Sequence, residues 1–310
     1  MLAKMPLSVS ELREAMREGR AVDTTRLNRI LAIDAQRGLL EVQAATPWQS
    51  IAAEMRPGDP RAAVRTTMPT VGESIARNAA GPDGTPAVNH VASLTIVMPD
   101  GDFRRVSRHR EPELFALAVG GQGLFGTMYS ITLHIPSLAR AVEKQGEPQV
   151  VKLQAEVSGQ QTLEVLVPPE SMDAFVKETD ERCSDWRVPL LGVSARNTQR
   201  EEETYLRWAQ REYCELRLAI APPRGLGGAV RTAQLRRQLI DAAIAAGGSF
   251  PIACTPDATR EQTEVCYPQI KSFLAEKRRF DPHERVVNAW YLHQRNLLLR
   301  RDEVDVRWSH

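Results

Sequence analysis

The chain has few cysteines and no pattern among them. Cys183, Cys214, Cys254 and Cys266 form no C-x-x-C pair, so neither a zinc knuckle nor a disulfide framework is indicated, and reduced structural thiols are expected. No apolar run approaches the length of a membrane span, and the N-terminus has no signal-peptide core, which makes the cytoplasm the expected compartment. Charge of one sign is also missing. A formal net charge of +1 gives no bulk attraction to nucleic acid or to a lipid surface, so neither is expected as a partner. The six histidines are scattered without ligand spacing, and H-E-x-x-H, G-x-S-x-G and G-x-x-x-x-G-K-[ST] are all absent, so no metal site is expected. No internal repeat or low-complexity segment stands out.

With 310 residues, 42% hydrophobic and 25% charged, the chain has the make-up of a globular protein long enough for two domains with proper cores. Gly120-Gly-Gln-Gly-Leu-Phe-Gly126 contains a literal G-x-G-x-x-G. A dinucleotide-binding loop needs a strand before it and a helix after it. Here Glu113–Val119 reads as a short apolar helix upstream, and Met128 to Ile135 alternates downstream as a strand. A glycine turn from helix into strand is not a Rossmann loop.

The order of motifs around this turn carries a resemblance. Ser93–Met98 reads as a strand and leads through Pro99-Asp100-Gly101 into Phe103–Val106, then Pro112–Phe115, the glycine turn and Gly126–Ile131. Asp23-Thr-Thr-Arg-Leu-Asn28 with Leu40-Glu-Val-Gln-Ala44, Thr70-Val-Gly-Glu-Ser-Ile-Ala-Arg-Asn-Ala-Ala-Gly81 and Lys277-Arg-Arg-Phe-Asp-Pro282 follow the same scheme. Together they resemble the FAD-linked oxidases, the vanillyl-alcohol-oxidase or PCMH-type family. The resemblance covers Asp23 to Pro136 and resumes near the C-terminus. It implies an α+β fold: a PCMH-type FAD-binding domain over 1–137, a cap or substrate domain built on an antiparallel sheet over 138–275, and a return segment over 276–310 packing on the FAD domain. Gly247-Gly-Ser249, Ala258–Gln262, Cys266-Tyr-Pro268 and Trp290-Tyr291 are similar to a bacterial branch of the same family. That branch usually carries tyrosines and a histidine where this chain has Phe250–Pro256.

The implied activity is FAD-dependent oxidation of a CH–OH group of a small metabolite. Glycines would let main-chain amides approach the cofactor. Gly72 and Gly81, with Thr70, Ser74 and Asn78, would face the flavin end. Gly121, Gly123 and Gly126, with Thr127 and Met128, would lie along the adenine side, and Asn288 is a further candidate contact. Tyr267, Tyr291 and His293 are the candidate catalytic side chains, each with an alternative as a packing or surface residue. Noncovalent FAD is expected.

The chain departs from the family's pattern at several further places. Helical patterning begins at Ser8-Val-Ser10, which can cap a helix with Leu12, Ala15 and Met16 on its apolar side. Gly19 is then followed almost at once by Asp23. Arg20, Ala21 and Val22 are too few for both a strand and a pyrophosphate-cradling loop, since an extended residue spans only about 3.3–3.6 Å. Ala45 and Glu73 stand at usual glycine positions, and Ala80 where closer members often have histidine. A second reading therefore stays open: a relative that keeps the scaffold without the cofactor and serves as a binding or interaction protein.

Farther along, 138–159 reads as a connection or edge strand, Thr162–Val167 as a strand, Glu170–Lys177 as the start of a helix and Val188–Arg196 as a strand. Val230–Ala246 reads as an amphipathic helix stopped by Gly247, Ser249–Cys254 as a strand, and Arg260–Lys277 as a helix that Pro268 interrupts. Gly225-Leu-Gly-Gly228 reads as a loop, and the arginines of 231–237 as the solvated face of a helix.

Overall fold

A computed structural model describes residues 8–20, 23–55, 68–81, 83–144, 149–153 and 159–307, the side chains of 55, 151–153 and 299–307 apart. The fold is α+β with antiparallel sheets. The chain divides into two compact units: residues 1–146, 201–207 and 271–292, and residues 147–200, 208–270 and 293–310.

In the first unit, Ser8 caps α1 (Val9–Arg17) through a full capping box with Glu11, the two side chains each satisfying an otherwise orphaned amide. Leu12 and Met16 on its inner face pack with Leu27 and Val97, against which Tyr129 and Val286 also lie. Residues 21 and 22, in the short stretch before Asp23, lie outside the described residues. Strands β1 (Ile30–Asp34), β2 (Leu39–Gln43), β3 (Val91–Val97), β4 (Phe103–Val106) and β5 (Thr127–His134) form one sheet in the order β1-β2-β5-β3-β4. All neighbours are antiparallel, with Ile131 of β5 opposite both Val42 and Leu94. The alternation in β5 would suit a strand with one wet face. Its central place pairs both edges, and its faces are covered as well: Ser130 and Thr132 are buried, and Ser130 donates to Glu41 at 2.6 Å. Helix α2 (Trp48–Met55), α3 (Val71–Arg77), α4 (Pro112–Ala118) and α5 (Ile135–Glu143) complete the N-terminal part. Helix α5 corrects the reading of 138–159 as only a connection or edge strand. Pro136, near the start of α5, is preset for a first helical turn, and Leu138 and Ala141 are buried.

The second unit is built on an antiparallel sheet, β6-β8-β9-β7, of β6 (Gln149–Leu153), β7 (Gln161–Val167), β8 (Leu190–Thr198) and β9 (Tyr213–Ile220). Helices α6 (Met172–Asp185) and α7 (Leu226–Ala245) pack on it and on each other, with Trp186 Nε1 donating to Gln238 at 2.8 Å. Gly247 follows α7 with φ 79°, a stop that glycine reaches without strain. Three expectations need correction here. Gly225-Leu-Gly-Gly228 is not a loop but the entry of α7. A Cβ at Gly228 would sit 1.9 Å from the Pro223 carbonyl oxygen, so only glycine lets the helix start this close to the preceding segment. Arg236 is not on a solvated face; it is buried and paired with Asp257 at 2.5 Å. Ser249–Cys254 is not a strand. Ser249 makes a single bridge to Leu166, and Pro251, which has no N–H, opens a turn closed by Cys254.

Helix α8 (Arg260–Cys266) ends before Pro268, and α9 (Ile270–Phe280) and α10 (Ala289–Arg307) follow. Among the described residues no disulfide joins the four cysteines, and burial pushes the Cys214 and Cys266 thiols up, which suits inert packing residues. Among the described residues no helix is long and apolar enough to cross a membrane.

Candidate functional site

The loop from Thr70 to Gly81 folds around α3, and its polar groups turn inward. Thr70 is the N-cap, its hydroxyl oxygen accepting from the Glu73 amide at 3.3 Å. The Ser74 hydroxyl donates to the Thr70 carbonyl at 3.2 Å and accepts from Trp48 Nε1 at 2.9 Å. Gly72 is required by a close approach: its amide donates to the Ala44 carbonyl at 2.7 Å, and a Cβ would stand 2.7 Å from that same oxygen. Gly81 donates its amide to the Thr85 carbonyl at 2.8 Å. Asn78 ends the helix in the left-handed region, φ 48° and ψ 43°. Its Oδ1 accepts from the Val88 amide at 2.9 Å, and its Nδ2 donates to Glu201 at 3.3 Å.

The glycine turn lies between α4 and β5, helix before strand. Gly120 (φ 75°) and Gln122 (φ 57°) donate their amides to the carbonyls of Ile75 and Ala76, at 2.9 and 2.8 Å. The turn is thereby bonded to the last residues of α3. A Cβ at Gly121 would sit 1.9 Å from the Leu117 carbonyl oxygen, and one at Gly126 would sit 2.4 Å from that of Val97. Both glycines are packing requirements. Gly123 differs: its φ is 72°, a Cβ there would meet nothing within 4 Å, and among the described residues no acceptor takes its amide. Asn288 reaches this turn, its Nδ2 donating to the Gln122 carbonyl at 2.8 Å while its Oδ1 accepts from the Tyr291 amide. The Thr127 hydroxyl donates to the Met16 sulfur at 3.4 Å, and Met128 is buried.

The three candidate catalytic side chains do not share a unit. Tyr291 falls in the first, Tyr267 and His293 in the second. The Tyr291 hydroxyl donates to Glu284 at 2.6 Å; burial, with this carboxylate beside it, pushes its pKa up. Tyr267 is fully buried, with its hydroxyl donating to the Phe250 carbonyl and accepting from the Ile252 amide, and burial pushes its pKa far up. His293 is exposed.

Other groups in the first unit escaped the sequence reading. Glu201 is buried against Asn78, yet lies in an acidic run with no spacing to mark it. Lys277 and Asp281 form a buried ion pair, and Asp281 also accepts from the amides of Arg285 and Val286 at 3.0 and 2.9 Å. Their motif was visible in K-x-x-F-D-P, although their pairing was not. Buried His90 bonds Ser137 through Nδ1 at 2.7 Å, and among the described residues its Nε2 has no partner.

This arrangement fits a cofactor held by main chain at the glycine turn, where Gly123 offers an amide and an open face. Thr70, Ser74 and Asn78 have their polar atoms engaged within the protein, so their contribution there is to hold the loop's shape. A family model described as FAD binding domain matches residues 8–107, about a third of the chain. The match supports an FAD-binding oxidase family of the PCMH type for this part of the chain. The match takes in α1 and the whole α3 loop and stops before the glycine turn. A search of curated proteins found no match to the chain.

Proposed function

We propose that this protein is an FAD-dependent oxidoreductase that oxidises a CH–OH group of a small metabolite and holds its FAD noncovalently. The observation that carries the reading is the FAD-binding-domain match over residues 8–107, whose α3 loop bonds directly to a glycine turn with an open amide at Gly123. When bound, FAD supplies a hydride acceptor, so the chain has only to orient substrate and handle a proton. In this reading Gly121, Gly123 and Gly126, with the backbone of Thr127 and Met128, form the adenine side. Thr70, Gly72, Ser74, Asn78 and Gly81 hold the loop on the flavin side, and Asn288 fixes the turn through the Gln122 carbonyl.

Among the catalytic candidates we assign proton handling to Tyr291. Its hydroxyl sits on the Glu284 carboxylate, a group able to take a proton, whereas the Tyr267 hydroxyl is tied to a main-chain carbonyl. His293 is the remaining candidate, free in its exposure to meet solvent or substrate. The test is the visible absorption of the purified protein with and without added FAD. Oxidised-flavin bands that stay with the protein through gel filtration support the reading. A folded, colourless protein that does not retain added FAD refutes it and leaves a cofactor-free relative.

A further inference from the structure

Glu201 belongs to the short segment 201–207 that forms part of the first unit, and it is only 4% exposed. Its carboxylate accepts from the Glu203 amide at 2.8 Å, the Thr204 amide at 3.0 Å, the Thr204 hydroxyl, and Asn78 Nδ2 at 3.3 Å. Those four donors match the roughly four lone-pair directions of a carboxylate. Three come from its own segment. The fourth comes from far back in the chain, at the end of α3.

The segment is itself held down. Arg108 pairs with Glu203 at 2.5 Å while donating to the carbonyls of Val91 and Val88, and the Tyr205 amide donates to the Ala116 carbonyl at 2.9 Å. Glu201 is thus presented to Asn78 by a docked strap. Asn78 ends the helix in the left-handed region, which asparagine reaches more readily than most residues with a side chain, and its bond to Glu201 holds the side chain in place there. What Asn78 terminates is the helical turn whose Ile75 and Ala76 carbonyls receive the amides of Gly120 and Gln122. A Cβ added to Gly120 would lie 3.2 Å from that of Asn78, so the turn and the helix end are also in direct contact.

We propose that Glu201 is a positioning residue for the cofactor-binding turn: through Asn78 it fixes the end of α3, and with it the path of Gly120 to Gly126. The inference rests on the flavin function proposed for this turn. It predicts a polarity that can be reversed. In Glu201→Gln one oxygen can still accept from the two amides, but the new NH2 faces the NH2 of Asn78. In Asn78→Asp two carboxylates face each other. In the double variant the amide of residue 201 donates to the carboxylate of residue 78, and the bond re-forms with its charge on the other side.

Hydrogen exchange over residues 118–126 of the cofactor-free protein, and FAD affinity by titration, are measured for wild type, both single variants and the pair. Each single variant is expected to speed exchange at Gly120 and Gln122 and to weaken FAD by roughly ten- to a hundredfold, as for loss of a bond to a charged group. The double variant should recover most of both. Unchanged exchange in the single variants overturns the proposal, as does a double variant no better than either one. Faster exchange with unchanged FAD affinity would make Glu201 merely structural and also overturns it. Should a single variant fail to fold, a folded double variant with protected turn amides supports the proposal, and one that also fails overturns it. Failure of the wild type to take FAD refutes the flavin function instead, while the exchange arm still reads whether Glu201 sets the turn.

Discussion

Breaking the Lys277–Asp281 pair should damage the first unit very unequally, depending on which partner is removed. Lys277 is 0% and Asp281 1% exposed, so neither charge has solvent to fall back on. Asp281→Ala leaves the ammonium buried without its partner and strips the acceptor from the amides of Arg285 and Val286. Loss of one member of a buried pair costs about 3–5 kcal/mol. Lys277→Met is milder, because the remaining carboxylate still has two amide donors and methionine fills the space; about 1–3 kcal/mol is expected. Lys277→Met with Asp281→Asn removes both charges, keeps an acceptor for the amides, and should fall below the sum of Lys277→Met and Asp281→Asn measured singly by about 2 kcal/mol or more. Hydrogen exchange of β3 and β5 amides reads these costs without requiring the two units to unfold together. Additive single costs, or an Asp281→Ala cost under about 1 kcal/mol, would refute the reasoning. The pH dependence gives an independent check. Burial raises the Asp281 pKa, but the bond from Lys277 and the two amides outweigh it and hold the carboxyl below its ordinary value. Its contribution is therefore present above about pH 4 and fades as the pH falls through the native value.

Burial lowers the pKa of His90, with Arg140 and His134 adding to the effect and Asp83 opposing it. The unfolded chain then binds the proton more readily, so stability should fall as the pH drops below about 6.5, and His90→Gln should flatten that slope in pH-dependent melts. Gly72→Ala drives a methyl onto the Ala44 carbonyl and should cost about 1–3 kcal/mol in urea unfolding; an unchanged midpoint would show that the loop can give way. Tyr291→Phe should keep flavin and lose turnover by roughly 10²–10⁴-fold in a substrate screen, and normal turnover would remove Tyr291 from the proton-handling role.

The local elements were the easiest to read in the sequence. Ser8, Leu12, Ala15 and Met16 do what their spacing indicates, and Gly247 stops α7 as a glycine there should. The order of helix, glycine turn and strand around 113–134 was equally legible, because it depends on period and punctuation alone. Legibility failed where tertiary contacts decide. Arg236 is indistinguishable in sequence from the solvated arginines beside it until Asp257 pairs with it. Ser249–Cys254 has strand-like composition, yet Pro251 takes away the amide that pairing needs. At the candidate site the glycines could be found, but not what each one is for. Gly121 and Gly126 serve backbone packing and Gly123 faces open space, a difference that only coordinates express. Glu201 was hidden for the same reason, its partner lying 123 residues earlier.

The strap at 201–207 and the stretch 271–292 have a consequence for how the chain is made. During synthesis the five strands of the first sheet have all emerged by His134, but the unit they belong to is not complete. Asn78 must wait for Glu201, Arg108 for Glu203, and Phe125 for Phe273 and Phe280, which meet its ring edge-on at 5.3 and 5.8 Å. Until then Asn78, Arg108 and Phe125 lack these later contacts, although Arg108 can already reach the Val88 and Val91 carbonyls and Asn78 the Val88 amide. All four described strands of the second unit's sheet, by contrast, lie within residues 149–220. A chain ending after the last strand of the first sheet would lack the groups that brace the end of α3 and the glycine turn, because they lie in 201–207 and 271–292.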